Sequence, residues 1–272
     1  SDRLDIMGTG TLNIDESRQL QLITQYYKSQ GDDDYGLNLG KGFSAIRGTS
    51  TPFVSNGLNS DRIPGTERHL ISLQYSDSAF LGQELVGQVY YRDESLRFYP
   101  FPTVNANKQV TAFSSSQQDT DQYGMKLTLN SKPMDGWQIT WGLDADHERF
   151  TSNQMFFDLA QASASGGLNN KKIYTTGRYP SYDITNLAAF LQSGYDINNL
   201  FTLNGGVRYQ YTENKIDDFI GYAQQRQIAA GKATSADAIP GGSVDYDNFL
   251  FNAGLLMHIT ERQQAWLNFS QG

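Results

Sequence analysis

The chain has 272 residues, a formal net charge of -8 and an isoelectric point of about 4.8. It contains no cysteine, which excludes a disulfide framework and any thiolate metal site. The acidic balance argues against nucleic acid as a partner, and there is no run of about 18 apolar residues to make a transmembrane helix. Barrel strands cross a bilayer on half-apolar patterns, so a membrane stays open. The mean hydropathy of -0.52 sits beside 16 Tyr, 15 Phe and 3 Trp. That mixture suits a barrel with one thin apolar outer band, although a soluble all-β protein shares it.

Ten segments read as strands in chain order, near 4–14, 18–28, 68–76, 83–97, 121–131, 137–149, 183–196, 201–212, 246–259 and 264–271. The clearest is 137–148, where Trp137, Ile139, Trp141, Leu143 and Ala145 alternate with Gln138, Thr140, Asp144, Asp146 and Glu148. Only a strand places that period on two opposite faces. Residues 123–129 set Tyr123, Met125, Leu127 and Leu129 against Lys126 and Thr128. Residues 201–211 set Phe201, Leu203, Val207, Tyr209 and Tyr211 against Asn204, Arg208 and Gln210. The apolar rows are assigned to lipid and the polar rows to a lumen.

The connections alternate. Short ones are expected at Asp15-Glu16-Ser17, Ser76 to Gly82, Ser131 to Gly136, Ile197 to Leu200 and Thr260 to Gln263. Long ones cover about 29–67, 98–120, 150–182 and 213–245. Loops of that length are uncommon in compact soluble domains, whereas outer-membrane barrels have short periplasmic turns and long external loops. A β-sandwich with a dry core explains the alternating faces but not these connections. The expected fold is therefore all-β, an antiparallel transmembrane β-barrel of which about ten strands are present. Residues 1–272 are read as part of one barrel domain. The chain starts inside a strand-like pattern and stops at Gly272 inside another, and is read as an internal part of a longer protein. Gln224 to Ala230 has helix-tolerant composition and is expected as a short helix within a loop.

Enzyme signals are weak, and no catalytic residue and no metal ligand is assigned. His69, His147 and His258 fall in strand patterns without metal-ligand spacing. No G-x-S-x-G elbow, HExxH or P-loop occurs. Asp32-Asp33-Asp34 lacks calcium-loop spacing and reads as a solvated run. Cation–aromatic groupings in the long loops are more informative. Arg97 and Tyr99 lie in an Arg-Phe-Tyr-Pro-Phe-Pro run, Lys171 and Lys172 stand near Tyr174, and Arg178 precedes Tyr179. Arg47 and Arg62 lie in the first long loop. Above a barrel mouth such residues suit an anionic ligand with carboxylate or iron-bound hydroxamate oxygens. Interface anchoring and plain solvation are the competing explanation.

Three motifs, in order, carry a resemblance. Leu187-Ala188-Ala189-Phe190-Leu191-Gln192 matches an A-x-F-x-Q strand, and Gly205-Gly206-Val207-Arg208-Tyr209 a G-G-V-R-Y strand. The ending Gln264 to Gly272 is similar to Y-A-N-Y-S-Q-G-F, with Trp266 and Phe269 in place of the tyrosines. This ordered set resembles the TonB-dependent siderophore receptors of the bacterial outer membrane. The resemblance implies a barrel of about 22 strands filled by an N-terminal plug. It also implies capture of a ferric siderophore, of the citrate-hydroxamate type, and import powered by TonB through that plug region. The plug has no counterpart in this sequence. No cofactor is implied, because the iron arrives already chelated. Outer-membrane lipid is the other expected partner. Arg97, Tyr99, Lys171, Lys172, Arg178 and Tyr179 are the expected ligand-binding residues. The alternatives are a passive outer-membrane porin, an outer-membrane enzyme with a catalytic set at the rim, and a soluble adhesin or lectin.

Overall fold

The computed structural model describes residues 2–31, 58–107, 109–165 and 167–271. Arg47 and Asp32 to Asp34 lie outside the described residues. The elements in chain order begin with β1 (Asp2–Asn13), β2 (Arg18–Gln30), β3 (Asn59–Ser60), β4 (Gly65–Phe80), β5 (Gln83–Arg97) and β6 (Phe101–Val104). Then come β7 (Val110–Met134), β8 (Trp137–Phe157), α1 (Leu159–Ala164), β9 (Asn169–Asn170) and β10 (Lys172–Gly177). The last part holds β11 (Tyr182–Asp196), β12 (Phe201–Ile216), β13 (Phe219–Ile220), α2 (Tyr222–Ala229), β14 (Ala238–Ile239), β15 (Gly242–Thr260) and β16 (Gln263–Ser270).

Ten long strands form one antiparallel meander in the order β1-β2-β4-β5-β7-β8-β11-β12-β15-β16. All ten expected strands are present, and each pairs with its neighbour in sequence. The sheet is open. Among the described residues β1 and β16 each keep one unpaired edge, which a bilayer interior tolerates only where another strand covers it.

The register puts the apolar rows on one face. Met125 pairs with Ala145, Ala145 with Leu187, Leu187 with Tyr211, and Leu191 with both Trp141 and Val207. Leu143, Leu187, Leu191, Leu203 and Phe251 are exposed although apolar, as side chains facing lipid are. The other face holds Lys126, Asp144, Asn186 and Arg208, and is the lumenal one. Two of its aromatics lie over glycines. A Cβ on Gly124 would come within 2.7 Å of the Tyr90 hydroxyl, and one on Gly142 within 2.7 Å of Phe190 Cζ. The missing side chains are what let these rings lie flat on the sheet.

The tight turns have local causes. Asp15 Oδ1 accepts from the Ser17 and Arg18 backbone N–H groups at 2.9 and 2.8 Å, and its carboxylate pairs with the Arg18 guanidinium. The Arg18 bond holds the Asp15 carboxyl far below the usual carboxylate range. Leu81 and Gly82 both have positive φ, 51° and 78°, the signature of a two-residue hairpin turn.

Two of the expected long loops are corrected. Much of 98–120 and 150–182 is strand, because β7 and β8 continue as a hairpin far beyond the neighbouring strands, with β6 and β10 on its flanks. Those segments are rich in Ser, Gln, Asn and Thr and lack the apolar row that marks a lipid-facing strand. The extension carries its own small core of Leu58, Phe113, Phe157 and Ala162, joined by Leu159, Val110, Met155 and Leu168. A two-residue parallel pairing of β3 with β9 ties the first long connection to the third. The expected loop helix is present as α2.

Candidate functional site

The short turns define one end of the sheet and the β7–β8 extension rises from the other. The cation–aromatic groupings all fall at this second end, but the structure separates them.

Arg97, the last residue of β5, pairs with Gly65 and Gln117 and shares the outward row of Glu67. Its Nη2 donates to Glu67 Oε2 at 2.9 Å, and Tyr26 donates to the same carboxylate at 3.1 Å. The charge of Arg97 is thus matched locally. Tyr99 lies against Gly31, where any Cβ would collide with its ring. Lys171 and Lys172 are exposed at the start of β10. The Lys171 carbonyl accepts from Asp158 N at 2.9 Å, and Lys172 N donates to Asp61 Oδ2 at 2.6 Å.

Arg178 and Tyr179 follow β10 and are fixed by backbone bonds to Ser152, at 3.2 Å to its carbonyl and 3.0 Å to its hydroxyl. The Arg178 guanidinium carbon lies 5.2 Å from the Tyr179 ring centre and 5.2 Å from that of Tyr222. Tyr222 begins α2, and Arg226 stands one helical turn later on the same side. Arg226 Cζ lies 4.9 Å from the Phe156 ring centre and 6.0 Å from Tyr222. Tyr174 stacks on Phe156 at 4.8 Å, and Tyr222 meets Phe156 at 6.0 Å. A partly desolvated cation over a ring contributes about 0.5–2 kcal/mol. The helix is moored to the strand by Gln225, whose Oε1 accepts from Gly177 N at 2.7 Å. Burial pushes the Tyr222 phenol up, while Arg226 and Arg178 pull it down.

Phe156 is in phase with Asp144 along β8, with no register break against β7 between them, so this cluster belongs to the lumenal face. Phe150 stacks on Tyr182 at 4.7 Å on the same row. Of the residues expected from sequence, Arg178 and Tyr179 fall within this cluster, whereas Tyr222, Arg226 and Phe156 were not among them. The available signal was Tyr222 and Arg226 four residues apart in a helix-tolerant stretch.

Arg62 has a different position. It is 5% exposed, donates to the Ser115 carbonyl at 2.7 Å and to Asn153 Oδ1 at 2.5 Å, and clamps the first connection onto the extension. Burial pulls its guanidinium down to about 10, so it stays charged at neutral pH. The histidines are dispersed. His69 Nδ1 lies 3.1 Å from Asp93, His147 Nε2 3.3 Å from Asp183, and His258 Nδ1 3.2 Å from Gln264. Among the described residues no three His, Cys, Asp or Glu side chains converge as a metal site.

An antiparallel meander with a lipid-exposed apolar face, short turns at one end and folded polar extensions at the other defines an outer-membrane β-barrel. Residues 8–272 match the family model described as TonB dependent receptor-like, beta-barrel, and the chain belongs to that family. It is 95% identical over all 272 residues to a ferric aerobactin receptor of Escherichia coli, of which it covers 37%. It is 43% identical over the same length to the rhizobactin receptor of Rhizobium meliloti (strain 1021), of which it covers 36%. The chain therefore spans about a third of the length of the curated relatives it matches. Among solved structures, the open form of the ferric-catecholate import receptor Fiu of E. coli K12 superposes with a TM-score of 0.62. The match covers 98% of this chain and 46% of that one at 12% identity, a likeness of fold.

Proposed function

We propose that this segment is part of a receptor that captures a ferric siderophore of the aerobactin-like, citrate-hydroxamate type at the cell surface and passes it inward by TonB-dependent import. The observation that carries the reading is the 95% identity, unbroken over 272 residues, to a protein named for ferric aerobactin. The site chemistry agrees with it: a citrate-centred chelate is anionic, and arginines on aromatic platforms bind such anions without covalent chemistry. The iron is cargo, held by the siderophore, and the protein is a receptor rather than a catalyst. Of the six residues expected from sequence, Arg178 and Tyr179 sit within the cation–aromatic cluster. Arg97, Tyr99, Lys171 and Lys172 are proposed as peripheral contacts on the same outer end. TonB is the proposed energy-coupling partner, acting through the plug region.

The test is ferric-aerobactin binding to the full-length receptor in detergent, with a ferric catecholate as control. Selective tight binding is expected. Equal or absent binding of both would transfer the receptor to another substrate or to passive permeation.

A further inference from the structure

We propose that Arg178 and Arg226, both held against the Tyr222 ring, form a two-arginine subsite for a carboxylate-bearing face of the ligand, and that α2 is the element that completes it. This rests on the siderophore-receptor reading and assigns to α2 a role that the sequence motifs did not indicate.

Three observations converge. Both guanidiniums lie against one phenol ring, at 5.2 and 6.0 Å from its centre. Two partly buried cations that share one ring gain from an anion that joins them.

Among the described residues, neither guanidinium has a carboxylate in ion-pair contact. This holds in a chain with 29 acidic and 21 basic residues. The neighbouring carboxylates are committed elsewhere. Asp217 pairs with Arg149, Asp218 accepts from Gly241 N, Asp158 caps α1 and Asp61 holds Lys172 N. Arg226 Nε is also buried without an acceptor. A buried donor that lacks a partner, in a doubly cationic cluster, marks a place for an oxygen anion.

The surrounding rings complete the chemistry. Phe156, Tyr179 and Tyr222 supply flat apolar faces that fix the planar guanidinium forks. A rigid pair of forks binds two carboxylate oxygens in a bidentate way, which distinguishes a polycarboxylate chelate from a catecholate or a neutral trihydroxamate. The cluster lies on the lumenal face of the outward extension, on the route of a ligand entering from outside.

The experiment measures ferric-aerobactin affinity of the full-length receptor and of Arg178→Gln, Arg226→Gln and Arg226→Lys, with Arg18→Gln, in a short turn at the other end of the sheet, as the control. Heat-modifiable migration confirms that each variant is folded. The glutamine variants are expected to bind 10- to 100-fold more weakly and to show a shallower salt dependence. The lysine variant should fall between wild type and glutamine, and the control should match wild type. Free citrate should compete with the chelate on wild type and less well on Arg226→Gln. If wild type binds tightly and both glutamine variants stay within twofold of it, the subsite is wrong and the receptor reading stands. If wild type does not bind, both fall.

Discussion

Arg208 on β12 reaches across β11 to Asp144 on β8, its Nη1 donating to Oδ2 at 2.7 Å. The residue it passes is Ala188, which pairs with both Asp144 and Gln210. A methyl group leaves the space that the guanidinium crosses. The ion pair thus braces three strands on the lumenal face rather than two. Both partners are partly exposed, 35% and 24%, so the coupling is expected at about 0.5–1 kcal/mol. A double-mutant cycle of Asp144→Ala and Arg208→Ala on the full-length receptor in detergent measures it. Ala188→Leu fills the crossing space and should destabilise by about 1–3 kcal/mol. Zero coupling energy would remove the brace.

Arg62 is the clamp between the first connection and the β7–β8 extension. Its removal leaves the Ser115 carbonyl and Asn153 without their buried donor, a cost of about 1–3 kcal/mol. That cost is local, because the transmembrane rows do not touch Arg62. Arg62→Ala is therefore expected to speed limited proteolysis between residues 98 and 182 while the thermal midpoint of the barrel moves little. Arg62→Lys should rescue only part, since one ammonium cannot span both acceptors with the planar fork. A proteolysis pattern identical to wild type would count against the clamp.

Gly142 accommodates Phe190 on the lumenal face. A Cβ there would meet the Leu127 carbonyl oxygen as well as the ring, and the backbone cannot yield as a side chain does. Gly142→Ala is expected to cost about 1–3 kcal/mol and to lower the yield of heat-modifiable barrel. Combining it with Phe190→Leu should recover part of the loss but not all, because the carbonyl remains. Full recovery would show that the ring alone sets the requirement.

Leu81 carries a side chain in a left-handed turn position, φ 51°, and is 83% exposed. The conformation costs a non-glycine residue roughly 1–2 kcal/mol, and the exposed side chain returns little packing. Leu81→Asn creates Asn-Gly, the favoured pair for this turn. A stabilisation of about 0.5–1 kcal/mol is expected in denaturant unfolding of the full-length receptor. A destabilised variant would show that Leu81 contributes an interface contact larger than its backbone strain.

The sequence by itself determined the ten strands, their faces and their order. The reason is local: a period of two must face two solvents, and turn residues such as Asp15 and Asn198 fix hairpins through their own backbone bonds. The apolar row could be read at Met125, Leu143 and Leu203 because lipid acts on every one of those positions separately. The extension of β7 and β8 was not legible. Its strands are held by pairing with each other, and by Leu58 and Ala162 arriving from distant segments, not by a row that any one strand displays. The same holds for the cation–aromatic cluster. Arg178 beside Tyr179 was visible as a dipeptide, but Phe156 comes from β8 and Tyr222 and Arg226 from α2. Only the tertiary fold decided that Arg97 would be matched by Glu67 while Arg178 and Arg226 would meet no carboxylate among the described residues. Charge pairing is set by distances across strands, and composition carries no record of them.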